Sequence, residues 1–222
     1  MPIPHTTTYS SPLGTITLAC DDEALLGLWF EGQRHFEKLY DKKLEENYIK
    51  NSRAILEVDL QKHLDGCPSL GQKICGEDTS QNEYDSITRQ EPHPILSESI
   101  RWLDIYFSGK RPDFLPPMKY DSTSFGKRVC DIMLAIPYGQ TMTYGQIAVR
   151  MARAMGVERM SAQAVGRAVG RNPIAIMIPC HRVVGAHGNL TGYAGGIERK
   201  ITLLEIEGVD MKGFFVPSRS RK

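Results

Sequence analysis

Pro179-Cys180-His181-Arg182 sets a thiol beside an imidazole and a guanidinium, side chains that together can make and use a thiolate. The thiolate is the reactive form of cysteine, and a neighbouring imidazole or cation favours it. A cysteine after the apolar run Ile174 to Ile178 is, taken alone, a small buried hydrophobe more often than a nucleophile. The adjoining His181 and Arg182 turn the reading toward chemistry. In an extended segment neighbouring side chains point to opposite faces, so a Cys180–His181 link requires either a turn of the chain or a bridging water. Glu207 is the second unusual residue. It follows Leu204 by three on the inward stripe of a closing helix marked by Ile197, Ile201 and Leu204 and ended by Gly208. A buried carboxylate needs a partner, and a histidine supplies one, giving a Cys–His–Glu arrangement in which the acid orients the imidazole. The alternative is a carboxylate that frays outward at the helix end.

These residues need elements to position them. Thr15 to Ala19 alternates, Asp21-Asp22-Glu23 turns, and Ala24 to Phe30 returns as an apolar run, which predicts a β-hairpin. Glu37 to Lys50 predicts an exposed helix, and the polar stretch from Gly66 to Pro92 a long loop or insertion. Leu96, Ile100, Leu103 and Phe107 fall at helical spacing before Gly109; Phe125, Val129, Ile132 and Ile136 do so before Pro137-Tyr138-Gly139. Thr143 with Gln146 is a capping box opening a helix through Met151. A short helix follows from Ser161, an N-cap type, through Val169, and Ile174–Ile178 is too short for a comfortable helix.

The helices at 143–152 and 161–170 together predict a helix-turn-helix. The second has little side-chain bulk, with Ala162, Ala164, Gly166, Ala168 and Gly170. Small residues permit close backbone approach, either to a neighbouring helix in the core or to nucleic acid. Arg150, Arg153, Arg159, Arg167, Arg171 and Arg182, against the single Glu158, favour nucleic acid, because phosphate binding needs clustered cations.

Composition is compatible with this. The 222 residues, 41% hydrophobic and 24% charged, suffice for one large domain or two small ones and argue against disorder or a fibre. Apolar stretches are too short to span a bilayer, and no charged-then-apolar signal opens the chain. Five cysteines do not read as a secreted disulfide framework, so a reducing, soluble compartment is expected. The formal net charge of +1 conceals two opposed parts: residues 1–98 carry 9 Lys+Arg and 17 Asp+Glu, residues 99–222 carry 18 and 9.

Ile178-Pro-Cys-His-Arg-Val183, with Asn172-Pro173 before it and Gly192-Tyr-Ala-Gly-Gly196 after it, closely resembles the O6-alkylguanine-DNA alkyltransferases. Pro137-Tyr138-Gly139, Thr143-Tyr144 and Glu207-Gly208 match as well; the likeness is strong over about 120–208 and does not cover 37–91. The resemblance implies an α+β protein: a small N-terminal α/β domain with an antiparallel, ribonuclease-H-like sheet over 1–92, and a helical winged-helix/helix-turn-helix domain over 93–208, with a basic tail at 209–222. It also implies direct-reversal repair, in which an alkyl group on O6 of guanine, or on O4 of thymine, passes irreversibly to Cys180. His181 acts on Cys180 through a water and Glu207 holds His181. Asn172 fixes the network, Tyr144 gives a proton or hydrogen bond to the base, and Tyr193 packs on the extruded base. Ala162, Gln163, Gly166, Arg167, Arg171, Arg182 and Thr143 are expected to bind the substrate and its DNA, with the recognition helix in the minor groove. The partner implied is double-stranded DNA, the protein is expected to act as a monomer in the cytoplasm, or in the nucleus of a eukaryote, and no metal or organic cofactor is required. The Gly-Tyr-Ala-Gly-Gly loop looks bacterial. Two readings compete: a non-catalytic lesion sensor or helix-turn-helix regulator, and a Cys–His hydrolase, which needs an oxyanion hole.

Two departures from the resemblance stand out. Relatives often carry an Arg nine residues before the Asn of the Asn-Pro pair, filling the gap left by the flipped nucleotide. Here that position is Gln163, which lacks the charge and the planar fork, with Arg167 four residues on. The connector Ala152–Met160 is also longer than in many relatives. Some relatives bind zinc in the N-terminal domain, but the spacing of Cys20, Cys67, Cys75, His35 and His63 matches no strong ligand pattern.

Overall fold

In Gly14–Cys20 (β2) the pleat buries Ile16 and Leu18 completely while Thr15 and Thr17 stay partly exposed. The computed structural model describes residues 5–33, 93–120 and 122–217; the helix expected at Glu37–Lys50 and the loop expected at Gly66–Pro92 lie outside them. β2 pairs antiparallel with Leu25–Phe30 (β3), as the alternation predicts. It also pairs with His5–Ser11 (β1), a Thr-rich strand that no apolar alternation announces. The sheet order is β1-β2-β3. The free edge of β3 is not left open. Leu25 bonds to Pro117 and Lys119, and Leu28 accepts from Ala175 and donates to the Pro173 carbonyl. That edge covering guards against strand addition, and it moors the segment that leads to Cys180.

Among the described residues five α-helices follow: Pro94–Phe107 (α1), Ser124–Leu134 (α2), Tyr144–Met155 (α3), Ala162–Val169 (α4) and Ile197–Ile206 (α5). α1 spans the expected range, but its buried face is Ile95, Leu96, Ser99, Trp102, Leu103 and Tyr106, so Ile100 and Phe107 sit at the margin of the stripe. The strands and helices share one core, from Ile16, Leu28 and Phe30 through Leu103, Met133 and Ile147 to Ile178, Val183 and Leu203. The described residues belong to one compact unit that joins the opening strands to everything from His93 onward.

α3 and α4 are the expected helix pair. Thr143 Oγ1 accepts from the Gln146 N–H at 3.1 Å and Gln146 Oε1 accepts from the Thr143 N–H at 2.7 Å, a complete capping box. Gly156 closes α3 in the left-handed conformation, at φ 65°. Ser161 Oγ caps α4. Met142-Thr143 (β4) lies parallel to Val183-Val184 (β5), which sets the start of α3 beside the segment leaving Cys180. The Thr143→Ala substitution removes the cap acceptor and is expected to cost about 1 kcal/mol. Urea unfolding reads this as a lower midpoint with an unchanged slope.

Candidate active site

The chain reaches Cys180 through a tight apolar turn rather than a strand or helix. Ile174–Ile178 is buried, and Ile176 holds φ 67°, a region β-branched residues rarely occupy. Cys180–Arg182 then forms a single 3-10 turn. The backbone does turn between Cys180 and His181, but the turn does not join them: the two side chains take different partners.

The sulfur faces Asn172. Asn172 Nδ2 donates to Cys180 Sγ at 3.0 Å and to the Ile178 carbonyl at 2.7 Å, while Oδ1 accepts from the Ile174 N–H at 3.1 Å. Both amide protons and the amide oxygen are engaged, which fixes the amide orientation and aims a donor at the sulfur. Cys180 is 6% exposed. Burial pushes its thiol pKa up; the Asn172 hydrogen bond, the Lys200 charge and the backbone amides of Cys180 and His181 pull it partly back.

The imidazole faces Glu207. His181 Nε2 lies 2.6 Å from Glu207 Oε1, and both side chains are fully buried. A carboxylate only accepts, so Nε2 carries the proton and Nδ1 is left with a lone pair. Nδ1 has no hydrogen-bond partner among the described residues. Burial lowers the His181 pKa against the opposing pull of Glu207, so the ring is neutral and free to take a proton. Glu207 is the inward carboxylate expected from the helical stripe, at the C-cap of α5. It also accepts from the Tyr106 hydroxyl at 2.9 Å and the Gly139 N–H at 3.1 Å. Gly139 holds φ 73°, and a Cβ there would meet the Glu207 carbonyl at 2.9 Å, so a glycine is required.

Arg182 was expected to bind the substrate DNA and does not face outward. Its guanidinium lies inside, with Nε to Glu207 Oε2 at 2.8 Å, one terminal nitrogen to Oε1 at 3.0 Å and the other to the Ile136 carbonyl at 2.7 Å. A bidentate pair with a buried carboxylate leaves no donor fork for a phosphate. Burial alone would raise the Glu207 pKa; the hydrogen bonds and charges of His181 and Arg182 overturn this and bring it down to about 2.

Tyr144, the first residue of α3, donates from its hydroxyl to the Gly192 carbonyl at 3.0 Å and the Thr191 carbonyl at 3.3 Å. Burial, then the neighbouring Cys180, pushes its pKa up to about 12. Tyr193 lines the pocket over Cys180 with Asn172, Val169, Gly170 and Gly192–Gly195, and its hydroxyl is buried without a hydrogen-bond partner among the described residues. Thr143 is occupied as the α3 cap. Ala162, Gln163, Arg167 and Arg171 are exposed on or beside α4, as are Arg150, Arg153 and Arg159 on α3 and the connector. α4 buries only Val165 and Val169. A Cβ on Gly166 would make ordinary contact, 3.8 Å, with the Tyr144 ring, so internal packing does not demand the small residue there.

Three contributors were not identified from the sequence. Tyr106 bonds Glu207; Gln33, after β3, lines the pocket with its oxygen on the Phe30 N–H; and Lys200 lies fully buried beside the Cys180 segment. Of the cysteines and histidines considered for zinc, only Cys20 falls among the described residues, and its sulfur lies 3.3 Å from His93 Nδ1. His5, Asp22 and His93 bring ligand-type atoms within 4.8 Å of one another, with the two imidazoles stacked at 4.5 Å. The donor types suit zinc, but the chemistry around Cys180 needs nothing from them.

Comparison with known proteins bears on this geometry. Residues 124–209 match the family described as 6-O-methylguanine DNA methyltransferase, DNA binding domain, and residues 5–61 its ribonuclease-like domain. The chain is 49% identical over 112 residues to the methylated-DNA–protein-cysteine methyltransferase of Mycobacterium leprae, covering 50% of this chain and 65% of that protein. It is 47% identical over 123 residues to the protein of the same name from Mycobacterium tuberculosis, covering 55% and 72%. Among solved structures, Mycobacterium tuberculosis OGT in complex with DNA aligns at TM-score 0.60 and 32% identity over 92% of this chain and 93% of that one.

The pH dependence of stability follows from the buried carboxylate. Its folded pKa is depressed, so the stability it contributes is complete above the unfolded value near 4.5 and is lost as pH falls toward about 2. His181, held neutral when folded, adds a loss that begins as pH falls through the ordinary imidazole range near 6.5. Glu207→Gln is expected to remove the part of the loss between about pH 4.5 and 2 while the His181 part near 6.5 remains, and to destabilise by about 3–5 kcal/mol at neutral pH, because Arg182 is left as an unpaired buried charge. Urea titrations from pH 2 to 8 on both proteins check this; an unchanged loss below pH 4.5 in the variant would contradict the assignment.

Proposed function

The chain belongs to the methylated-DNA–protein-cysteine methyltransferases, and from that premise we propose that it repairs O6-alkylguanine in double-stranded DNA by taking the alkyl group onto Cys180. The observation that carries the reading is the arrangement at the sulfur: an amide donor on Sγ and, next in sequence, a neutral imidazole with its accepting nitrogen free.

In this reading the Cys180 proton passes to His181 Nδ1, directly or across one water, while Glu207 steadies the resulting imidazolium through Nε2. A sulfur lone pair forms the S–C bond, the C–O6 bond breaks, and its electron pair moves into the purine. Tyr144, whose high pKa keeps it protonated, swings from the Gly192 carbonyl to give a proton to the base, the ring reverts to guanine, and the His181 imidazolium returns its proton to the Tyr144 phenolate by way of solvent. In the balanced reaction, the thiol proton replaces the alkyl group on the base. The thioether has no leaving group that water can exploit, so each chain reacts once.

The base must leave the stack to reach Cys180. The exposed arginines around α4, none of them in a salt bridge among the described residues, are suited to phosphates. The small residues Ala162 and Gly166 allow α4 to enter a minor groove about 6 Å wide. Among the described residues no helix is long and apolar enough to cross a membrane. Cys20, Cys130 and Cys180 are free thiols, in keeping with a reducing, cytoplasmic setting for a monomer that binds DNA.

Intact-mass analysis after incubation with a duplex containing O6-methylguanine is expected to give one added methyl group per chain, located on Cys180 and absent in Cys180→Ala. No adduct would point instead to a lesion sensor, and repeated turnover to a hydrolase. A second expectation concerns the missing arginine: Gln163→Arg should tighten duplex binding several-fold by restoring a cationic fork on the exposed face of α4. Unchanged binding and transfer rate in that variant would show that Gln163 already holds the gap, or that Arg167 does.

A further inference from the structure

The pocket over Cys180 is walled mostly by residues with little or no side chain: Gly170, Ala175, Gly192, Ala194 and Gly195. Three larger side chains in the wall already have work. Asn172 holds the sulfur, Tyr193 is assigned to the extruded base, and Val169 belongs to the buried face of α4. Gln33 is the remaining one. It is 6% exposed and is what the opening sheet contributes to this wall among the described residues. Glutamine is mostly a surface residue, and a buried amide must be hydrogen-bonded to be tolerated.

The sheet holds this side chain in place. The Gln33 N–H donates to the Phe30 carbonyl at 3.0 Å, and Gln33 Oε1 accepts from the Phe30 N–H at 3.3 Å. Main chain and side chain are thus tied to the same residue. Phe30 is itself wedged: the Arg199 guanidinium lies over its ring at 4.7 Å, and a Cβ on Gly195 would meet the ring at 3.3 Å. Arg199 also donates to the Leu13, Glu31 and Gly195 carbonyls at 2.9, 3.3 and 3.1 Å. These bonds fasten the β1–β2 turn and the end of β3 to the pocket loop, and they leave Gln33 little room to withdraw. The free volume over Cys180 is about 10 Å³, roughly the least that admits one water.

We propose that Gln33 is a specificity-determining residue for the transfer, setting the length of alkyl group that the pocket over Cys180 accepts. This rests on the reading of Cys180 as the nucleophile. In a displacement at carbon, the sulfur and O6 lie in line on opposite sides of the reacting carbon. Everything beyond that carbon is turned sideways, against the pocket wall. A methyl group has nothing to place there, whereas a butyl group has a chain of further carbons. The bonds made and broken are those of methyl transfer; only the fit changes. Most of the wall is backbone or Cβ and yields only if the chain moves. Gln33 is the long side chain in it without other work, so its bulk decides which groups fit.

The test is single-turnover transfer from duplexes containing O6-methyl-, O6-ethyl- or O6-n-butylguanine, followed by intact mass, in the wild-type protein, Gln33→Ala and Gln33→Leu. The readout is the ratio of butyl to methyl rate, which a general loss of folding or of DNA affinity leaves alone. The wild-type protein is expected to favour methyl over butyl by at least about tenfold, with ethyl between them. Gln33→Ala should raise the butyl-to-methyl ratio about tenfold, and Gln33→Leu, which keeps the bulk, should hold it near the wild-type value. An unchanged ratio in Gln33→Ala overturns the proposal. So does an equal rise in Gln33→Leu, which traces the effect to the lost Phe30 hydrogen bond, or a wild-type protein that takes butyl as fast as methyl. Should Gln33→Ala not fold, Gln33→Asn decides: it keeps the amide on a shorter stem and should raise the ratio several-fold, and a wild-type ratio there overturns the proposal. Failure of the wild-type protein to take a methyl group would defeat the underlying reading and the proposal with it, and the absence of any adduct tells that outcome from the others.

Discussion

The carboxylate of Glu207 is the point on which the site is built. It sits at the C-terminal end of α5, where the helix dipole disfavours a negative charge, and it is buried besides. Both penalties are met by donors from four places in the chain: Tyr106 on α1, the Gly139 amide after α2, His181, and Arg182 through two nitrogens. Each donor costs its own segment something. Gly139 must adopt positive φ, Tyr106 must point its hydroxyl inward from a helix face that is apolar but for Ser99, and the chain at Cys180–Arg182 must turn. A single hydrogen bond is worth about 1 kcal/mol net, or somewhat more when it reaches a charge. Together these bonds hold the closing helix and the Cys180 turn in register and set the tautomer of His181.

That tautomer decides what the thiol can do. With its proton on Nε2, His181 offers a basic nitrogen that a freely rotating imidazole would offer only part of the time. Burial works in the opposite sense on the sulfur, since a low-dielectric surrounding disfavours the thiolate. The two effects are compatible with a protein that reacts once. A thiol kept protonated until substrate arrives is protected from adventitious alkylation and oxidation. A base filling the pocket over Cys180 then displaces water and strengthens the charge interactions that favour ionisation.

What could be read from the sequence follows from how local each feature is. The capping box at Thr143 and Gln146 is a three-residue pattern whose physics is complete within one helical turn, and it forms as expected. The inward Glu207 was legible because a helix repeats its face every three or four residues, so a carboxylate on the apolar stripe is an anomaly visible in one dimension. The turn at Cys180–Arg182 was one of two open alternatives in the sequence and could not be chosen there, because a proline and flanking β-branched residues favour extension and the hydrogen bonds that select the turn come from distant segments. Arg182 was misplaced for the same reason: a guanidinium beside His181 in sequence carries no mark of facing inward. β1 was missed because His-Thr-Thr-Thr-Tyr has no apolar alternation, being an edge strand whose outer residues face solvent. Tyr106 was hidden by the choice of stripe on α1; Leu96, Ile100, Leu103 and Phe107 make a plausible face, but the buried one is rotated toward Ile95, Ser99, Trp102 and Tyr106.

The charge of the chain shows the limit of counting most clearly. The excess of cations after residue 98 does two kinds of work that a sum cannot separate. Arg150, Arg153, Arg159, Arg167 and Arg171 are exposed and form no salt bridge among the described residues, where a cation is cheap and screened and is available to phosphate. Arg182 and Lys200 are buried, where a cation is costly and its field is long-ranged. Glu198-Arg199-Lys200 looks in sequence like a solvated helix start, yet only Glu198 is fully exposed. Arg199 bonds the Leu13 and Gly195 carbonyls, and Lys200 reaches the Val183 carbonyl. A buried lysine must be read from what surrounds it, not from its neighbours in the chain. Here its surroundings are the carbonyls of Val183 and Thr191, two backbone acceptors that a count of charges along the chain cannot show.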